Sequence, residues 1–195
     1  MASTYSNLKI QLMATGENST TWGNVTNTNL GTALEEAIVG STSIVFSNAN
    51  QTLTLTDTNA TQAARHLRLN LSGSATTGYN LVVPSIQKPY IVNNGTDGTI
   101  TVKTAAGSGI AIPTGKTMWV YSDGTNVVDA VTHLTSLTLA SPLAVTSGGT
   151  GSNNASGART NLGLGTMAVQ NSSAVTITGG SISGITDLAV ADGGT

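Results

Sequence analysis

The sequence predicts a mainly β protein: a short N-terminal helix, an antiparallel β-sandwich of jelly-roll type, then extended Gly/Thr-rich repeats that intertwine with copies of the chain. Three observations predict it. Only 8% of the 195 residues are charged, against about 25% in ordinary soluble domains, while Thr, Ser, Asn and Gly abound. Thr, Val and Ile suit strands, and Gly and Asn suit the turns between them. Short stretches of alternating apolar and polar residues recur between residues 41 and 133. Finally, the phrase Leu143-Ala144-Val145-Thr146-Ser147-Gly148-Gly149-Thr150 returns 45 residues later as Leu188-Ala189-Val190-Ala191-Asp192-Gly193-Gly194-Thr195. A unit repeated at this spacing belongs to stacked or fibrous architectures, in which one unit cannot bury its apolar face alone. It also predicts an array that continues past Thr195.

Residues 1–40 carry the one helical pattern. Leu8-Lys9-Ile10-Gln11-Leu12 alternates as a short extended segment, and Gly16-Glu17-Asn18 turns the chain. Thr28 or Asn29 caps a run in which Leu30, Leu34, Ala37 and Ile38 fall at helical spacing, with Gly40 as its stop. Glu35 and Glu36 fall off that stripe. A helix of about ten residues is too short to stand alone and needs a partner surface.

Residues 41–133 read as the sandwich. Leu53 and Leu55 alternate, as do Leu67, Leu69 and Leu71, Ile100 and Val102, and Met118 and Val120 against Trp119 and Tyr121. Asn94-Gly95 and Asp97-Gly98 punctuate the passage from Tyr90-Ile91-Val92 to the Ile100 strand, and Asp123-Gly124 joins the Trp119 strand to Val127-Val128. About eight such strands suggest a jelly roll.

Residues 134–195 change character, with a single basic residue, Arg159, and thinly spread apolar ones. Ordering such a chain costs about 1–2 kcal/mol per residue in conformational entropy. Intertwining with identical chains would supply the missing buried surface, so an obligate oligomer is expected.

Charge and composition exclude several classes. A net charge of −2 with scattered Lys and Arg gives no basic field for nucleic acid. The absence of Cys removes disulfides and thiolate metal sites and suits a reducing cytoplasm. No secretory signal opens the chain, and no run of about 18 apolar residues predicts a membrane span. His66 and His133 are the only histidines, and no Gly-x-Ser-x-Gly elbow accompanies them. Asp97, Asp123, Asp129, Asp187 and Asp192 stand in or near turns rather than in metal-ligand patterns. No cofactor, metal or catalytic residue is therefore expected. The glycines at 148–151 and 163–165 lack the Lys-Ser/Thr of a phosphate loop.

Two stretches resemble tail fibre and tailspike proteins of tailed bacteriophages. One is Asn7-Leu8-Lys9-Ile10-Gln11-Leu12, Gly16-Glu17 and Thr21-Trp22-Gly23-Asn24-Val25-Thr26-Asn27-Thr28-Asn29-Leu30, which looks like an N-terminal attachment segment. The other is Gly148-Gly149-Thr150-Gly151, Ala158-Arg159-Thr160-Asn161-Leu162-Gly163-Leu164-Gly165-Thr166-Met167-Ala168 and Ile177-Thr178-Gly179-Gly180-Ser181-Ile182, similar to shaft repeats. Between them, Lys88-Pro89-Tyr90-Ile91-Val92-Asn93-Asn94 and Ser122-Asp123-Gly124-Thr125-Asn126-Val127 resemble β-sandwich modules of the same proteins.

The resemblance implies a homotrimer, assembled in the host bacterial cytoplasm and fixed in the virion tail to an adaptor- or nozzle-type tail protein through residues 1–40. Receptor binding would fall to a distal part outside this chain. The expected attachment residues are Trp22, Asn24, Asn27, Asn29, Leu30, Leu34 and Ile38, and the expected trimer contacts are Leu143, Val145, Leu162, Leu164, Ile177 and Ile182. Two alternatives compete with a structural fibre. One is a carbohydrate-binding sandwich with Trp119, Tyr121 and Tyr90 as a sugar-stacking platform. The other is a tailspike whose glycan-degrading domain lies beyond residue 195. Enzymatic activity is not expected of residues 1–195 themselves, because their acidic residues sit on one short helix, as Glu35 and Glu36, or in turns, several beside Gly. Strong sugar affinity is not expected either, because the shaft is poor in aromatics and the Trp119 strand needs one face for the core.

Overall fold

The computed structural model describes residues 2–171 together with 173, 175, 176, 179 and 180. They fall into two compact units, one within residues 2–134 and the other within residues 135–180. The first is mainly β, with one helical region near its N-terminus and two mixed sheets.

The first unit opens with a two-stranded antiparallel ribbon, β1 (Thr4–Tyr5) and β2 (Gln11–Leu12). Its helix begins at Trp22, well before the expected Thr28 or Asn29 cap. α1 (Trp22–Thr28) runs through a π-helical stretch, Asn29–Leu34, into α2 (Glu35–Ile38). Gly23, Asn24, Val25, Thr26 and Asn27 are poor helix formers, so local propensity does not account for this start, and α1 buries none of its residues. Asn29 caps nothing. Its side chain accepts from the Gln11 amide at 3.2 Å and donates to the Gln11 carbonyl at 2.8 Å, pinning the ribbon to the helix.

Nine strands follow: β3 (Ser41–Ser47), β4 (Gln51–Thr52), β5 (Arg68–Ser74), β6 (Tyr79–Val83), β7 (Gln87–Asn94), β8 (Ile100–Thr104), β9 (Gly109–Ile112), β10 (Thr117–Asp123) and β11 (Val127–Asp129). The sheet orders are β11-β10-β7-β5-β3 and β4-β6-β8-β9. The sandwich is therefore mixed, and the expected antiparallel jelly roll is corrected. From β3 to β8 the chain alternates between the two sheets, so β3, β5 and β7 run parallel in one and β4, β6 and β8 run parallel in the other. Each strand of one sheet serves as the crossover that parallel neighbours in the other require. Only β9, β10 and β11 return antiparallel.

The Asn-Gly and Asp-Gly pairs explain the difference. Asp123-Gly124 makes a true hairpin between β10 and β11, with the Asp123 carboxylate accepting from the Thr125 and Asn126 amides at 2.7 Å each. Asn94-Gly95 and Asp97-Gly98 instead carry the chain from one sheet to the other. There the Asn94 amide is buried and fully bonded, donating to the Gly98 and Ile112 carbonyls and accepting from the Thr96 amide and hydroxyl. A Cβ on Gly98 would collide with the Ala75 carbonyl oxygen, so the successive turns of the coil can approach only with glycine there.

Inward side chains stack in rows across the strands: Leu69 beside Val92, Ile44 beside Leu71, and Leu81 beside Val102. With Phe46, Tyr90, Ile100, Ile112, Val120 and others they form one core between the sheets.

The second unit differs from the expected extended repeats. Among its described residues it holds short 3-10 turns at Val145–Ser147 and Thr166–Val169 and one helix, α3 (Ala155–Asn161), and no strand. The repeated phrase folds as a tight turn. The Gly149 amide donates to the Ala144 carbonyl at 3.0 Å and the Gly151 amide to the Leu143 carbonyl at 2.8 Å. A Cβ on Gly149 would strike the Leu143 carbonyl oxygen. Asn154 caps α3 by accepting from the Gly157 amide at 2.8 Å, and Asn161 ties the helix back to the Thr150 carbonyl at 2.9 Å. The second copy of the phrase, at 188–195, lies outside the described residues.

Candidate functional site

The helical region of residues 22–38 turns its polarity inside out. Its buried positions are Ala33 and Glu36, while Leu30, Leu34 and Ile38 are exposed and Trp22 is 61% exposed. The apolar stripe seen in the sequence faces solvent, and Glu36, expected off that stripe, faces in. The reason is Arg65, which is fully buried. Its Nη1 donates to a Glu36 carboxylate oxygen at 3.0 Å and to the Ala60 carbonyl at 2.9 Å; its Nη2 donates to the Thr58 carbonyl at 2.7 Å and its Nε to the Leu8 carbonyl at 2.8 Å. One guanidinium thus joins the N-terminal segment, the helix and the loop before β5. A buried carboxylate needs such a partner, and the helix must rotate Glu36 inward to meet it.

The π-helical stretch straightens the exposed stripe. An α-helix has 3.6 residues per turn, so residues four apart drift around it. The wider π turn brings Leu30, Leu34 and Ile38 closer to one line. Such π segments recur at functional sites.

Of the remaining expected attachment residues, Asn24 and Asn27 are exposed on α1, and Asn29 is committed to Gln11. Glu17, nearby, accepts from the Ser3 hydroxyl and the Ser3 and Ala14 amides, and these bonds hold its carboxyl below the usual range, the Ser3 hydroxyl contributing most.

A second surface is the outer face of the five-stranded sheet. Met118, Val120 and Ser122 point from β10 toward the core, so Trp119 and Tyr121 point away from it, and Trp119 is 55% exposed. Tyr90, the third member of the expected aromatic platform, is instead fully buried, with its hydroxyl donating to the Ala64 carbonyl at 3.1 Å. Its parity on β7 is opposite to that of Pro89 and Ile91, which pair with Tyr121 and Trp119. Beneath Tyr90 sits Lys88, 4% exposed, its Nζ 4.1 Å from the ring centroid and donating to the His66 and Pro89 carbonyls at 3.1 Å. Burial lowers the Lys88 pKa to about 8 and raises that of Tyr90 well above the ordinary phenol range. His66 follows a 3-10 turn, Ala63–Arg65, rather than lying in a strand, and its Nδ1 is 3.2 Å from the Gln62 carbonyl.

A cavity of about 360 Å³ opens beside β6, lined mainly by Leu53, Leu55, Val82, Pro84 and Ile86, with Lys9 at its rim. Lys9 is paired to Asp57 at 2.7 Å, so the cavity offers a packing surface and no poised acid–base pair. Among the described residues no group of three or more His, Asp or Glu could hold a metal ion, and no helix is long and apolar enough to cross a membrane. Asp187 and Asp192 lie outside the described residues.

Of the expected trimer contacts, Leu143, Val145, Leu162 and Leu164 are all exposed, and Ile177 and Ile182 lie outside the described residues. No described residue of the second unit is buried. Sequence reasoning missed Arg65, Lys88 and the inward turn of Glu36. Each depends on contacts distant in sequence, and only the low charge density hinted that every buried charge would be structural. No known protein family, curated protein or solved structure matches the chain.

Proposed function

We propose that this chain is the virion-proximal part of a trimeric phage tail fibre, a structural protein that docks to a tail protein through residues 22–38 and connects it to a distal receptor-binding tip. The observation that carries the docking role is the helix whose large apolar side chains, Trp22, Leu30, Leu34 and Ile38, face solvent while Ala33 and Glu36 face the fold. An apolar stripe flanked mostly by Asn and Thr, with Glu35 the one exposed charge of residues 22–38, has little to desolvate and presents a Trp anchor of the kind that dominates interface energies.

Self-association is supported by the second unit. Leu143, Val145, Leu162 and Leu164 are exposed on turns flanking a short helix, which local hydrogen bonds shape but no core of their own covers. Copies of the chain wound about one another into a shaft would bury them. The role is mechanical rather than enzymatic: Glu36 is paired with Arg65, and hydrogen bonds to the fold hold the Glu17 and Asp123 carboxyls below their usual range, away from proton transfer near neutral pH.

The test is the mass in solution combined with docking. Light scattering on the purified 1–195 chain should give three times the chain mass, and virions carrying Leu34→Asp should lose fibres. A stable monomer with an unchanged second unit, together with normal fibre occupancy in Leu34→Asp virions, would overturn the reading.

A further inference from the structure

We propose that the outer face of the five-stranded sheet is a platform for acidic polysaccharide, with Trp119 and Tyr121 stacking on sugar rings and Arg68, Asn70 and Asn93 bonding their hydroxyl and carboxylate groups. This goes beyond the fibre reading and does not rest on it. It also reverses the expectation of no sugar affinity, because the face that β10 gives to the core is the Met118, Val120 and Ser122 face. The two rings stand on the other side, two residues and so about 7 Å apart along a rigid strand.

The polar half of the platform lies alongside in register. Trp119 pairs with Ile91, which pairs with Arg68; one step on, Thr117 pairs with Asn93, which pairs with Asn70. These polar side chains are fixed before any ligand arrives. Arg68 Nε donates to Asn70 Oδ1 at 3.0 Å, Asn70 Nδ2 donates to Ser41 Oγ at 2.8 Å, and Thr117 Oγ1 donates to Asn93 Oδ1 at 2.9 Å. The terminal guanidinium nitrogens of Arg68 and the Asn93 Nδ2 take no hydrogen-bond partner among the described residues, and their donors remain for a ligand.

A sugar matches both halves. Its C–H face packs on an aromatic ring, and its hydroxyls meet amide and guanidinium groups. Charge selects the acidic kind. The outward positions of the five strands carry two formal charges, Arg68 and Asp123, and Asp123 is committed to its hairpin amides. Arg68 is left as a planar fork suited to a carboxylate.

The experiment uses the full 1–195 chain on a printed array of acidic and neutral bacterial surface polysaccharides. The best ligand is then titrated against a Trp22→Phe variant, in which Trp119 is the sole tryptophan reporter. Saturable binding with an acidic preference and a shift in Trp119 fluorescence is expected. Trp119→Ala should weaken it by about tenfold or more, and Arg68→Gln should abolish the preference for acidic over neutral chains. Both side chains are exposed, so unchanged thermal unfolding separates lost binding from lost fold. Three results would each overturn the proposal: no binding to any arrayed polysaccharide by the folded protein, binding unaffected by Trp119→Ala, or Trp119 shielded from quencher by self-association alone.

Discussion

The first unit encloses a core between two sheets, from Ile44 and Phe46 to Val120 and Val127, whereas no described residue of the second unit is buried. Both are rich in Gly, Thr and Asn, so composition does not make the difference. What does is the regular placing of apolar residues. In the first unit they alternate along strands and stack in rows. In the second they sit on turns and a short helix, shaped by Asn154, Asn161 and backbone hydrogen bonds that fix local geometry and enclose nothing. Local hydrogen bonding can specify a shape that only burial can stabilise, since each bond contributes about 1 kcal/mol net against a similar or larger entropy per ordered residue.

The most damaging break in the first unit should be Arg65→Ala. It leaves the Glu36 carboxylate and the Leu8, Thr58 and Ala60 carbonyls without their partner in the interior, a loss of about 3–5 kcal/mol that urea denaturation would measure. A cost below about 1 kcal/mol would mean water replaces the guanidinium freely. Phe46→Ala should cost a similar 3–5 kcal/mol. Leu162→Ala sharpens the contrast: it should leave the first unit's melting unchanged and act only on oligomer mass, more strongly at low protein concentration.

Lys88 offers a test of intermediate size, and one readable without disturbing the core's shape. Its folded pKa of about 8 lies below the unfolded value, so between about pH 8 and 10 the unfolded chain binds more protons and stability rises with pH, by up to about 1.4 kcal/mol per unit. Tyr90 has the opposite sign. Its raised pKa keeps the proton in the folded state, so above about pH 10 the unfolded chain releases protons first and stability falls. Denaturation midpoints should therefore peak near pH 10, and Lys88→Met should flatten the rising limb. A wild-type profile flat from pH 8 to 10 would show that Lys88 is solvated.

How much of this the sequence disclosed follows from how local each cause is. The alternation of Leu69 with Leu71, and of Met118 with Val120, was legible because a strand's two faces are written into its own residues. Which strand pairs with which was not. Asn94-Gly95 announces a turn but not whether the chain returns along the same sheet or crosses to the other. The attachment stripe was legible, as was its need of a surface beyond its own helix, but what turns it outward was not. Leu30, Leu34 and Ile38 would by default face inward, and the overriding partner, Arg65, is 29 residues from Glu36. The outward Trp119 was left open, since period two identifies two faces without saying which is covered.

The smallest expected effect on stability tests that helix. Trp22→Ala and Leu34→Ala remove exposed side chains, and exposed substitutions away from caps and special geometry usually change stability by no more than about 0.5 kcal/mol. Leu to Ala at a core position would cost about 2–5 kcal/mol, so one measurement distinguishes an outward stripe from an inward one. If the stripe faces a docking partner, both variants should unfold at nearly the wild-type denaturant concentration yet reduce fibre occupancy on virions, with Trp22→Ala the more severe because an aromatic anchor contributes most to an interface. Destabilisation of 2 kcal/mol or more in either would place that side chain inside the fold and move the docking surface elsewhere. Near-native stability with normal occupancy would keep the helix where it is and remove its function.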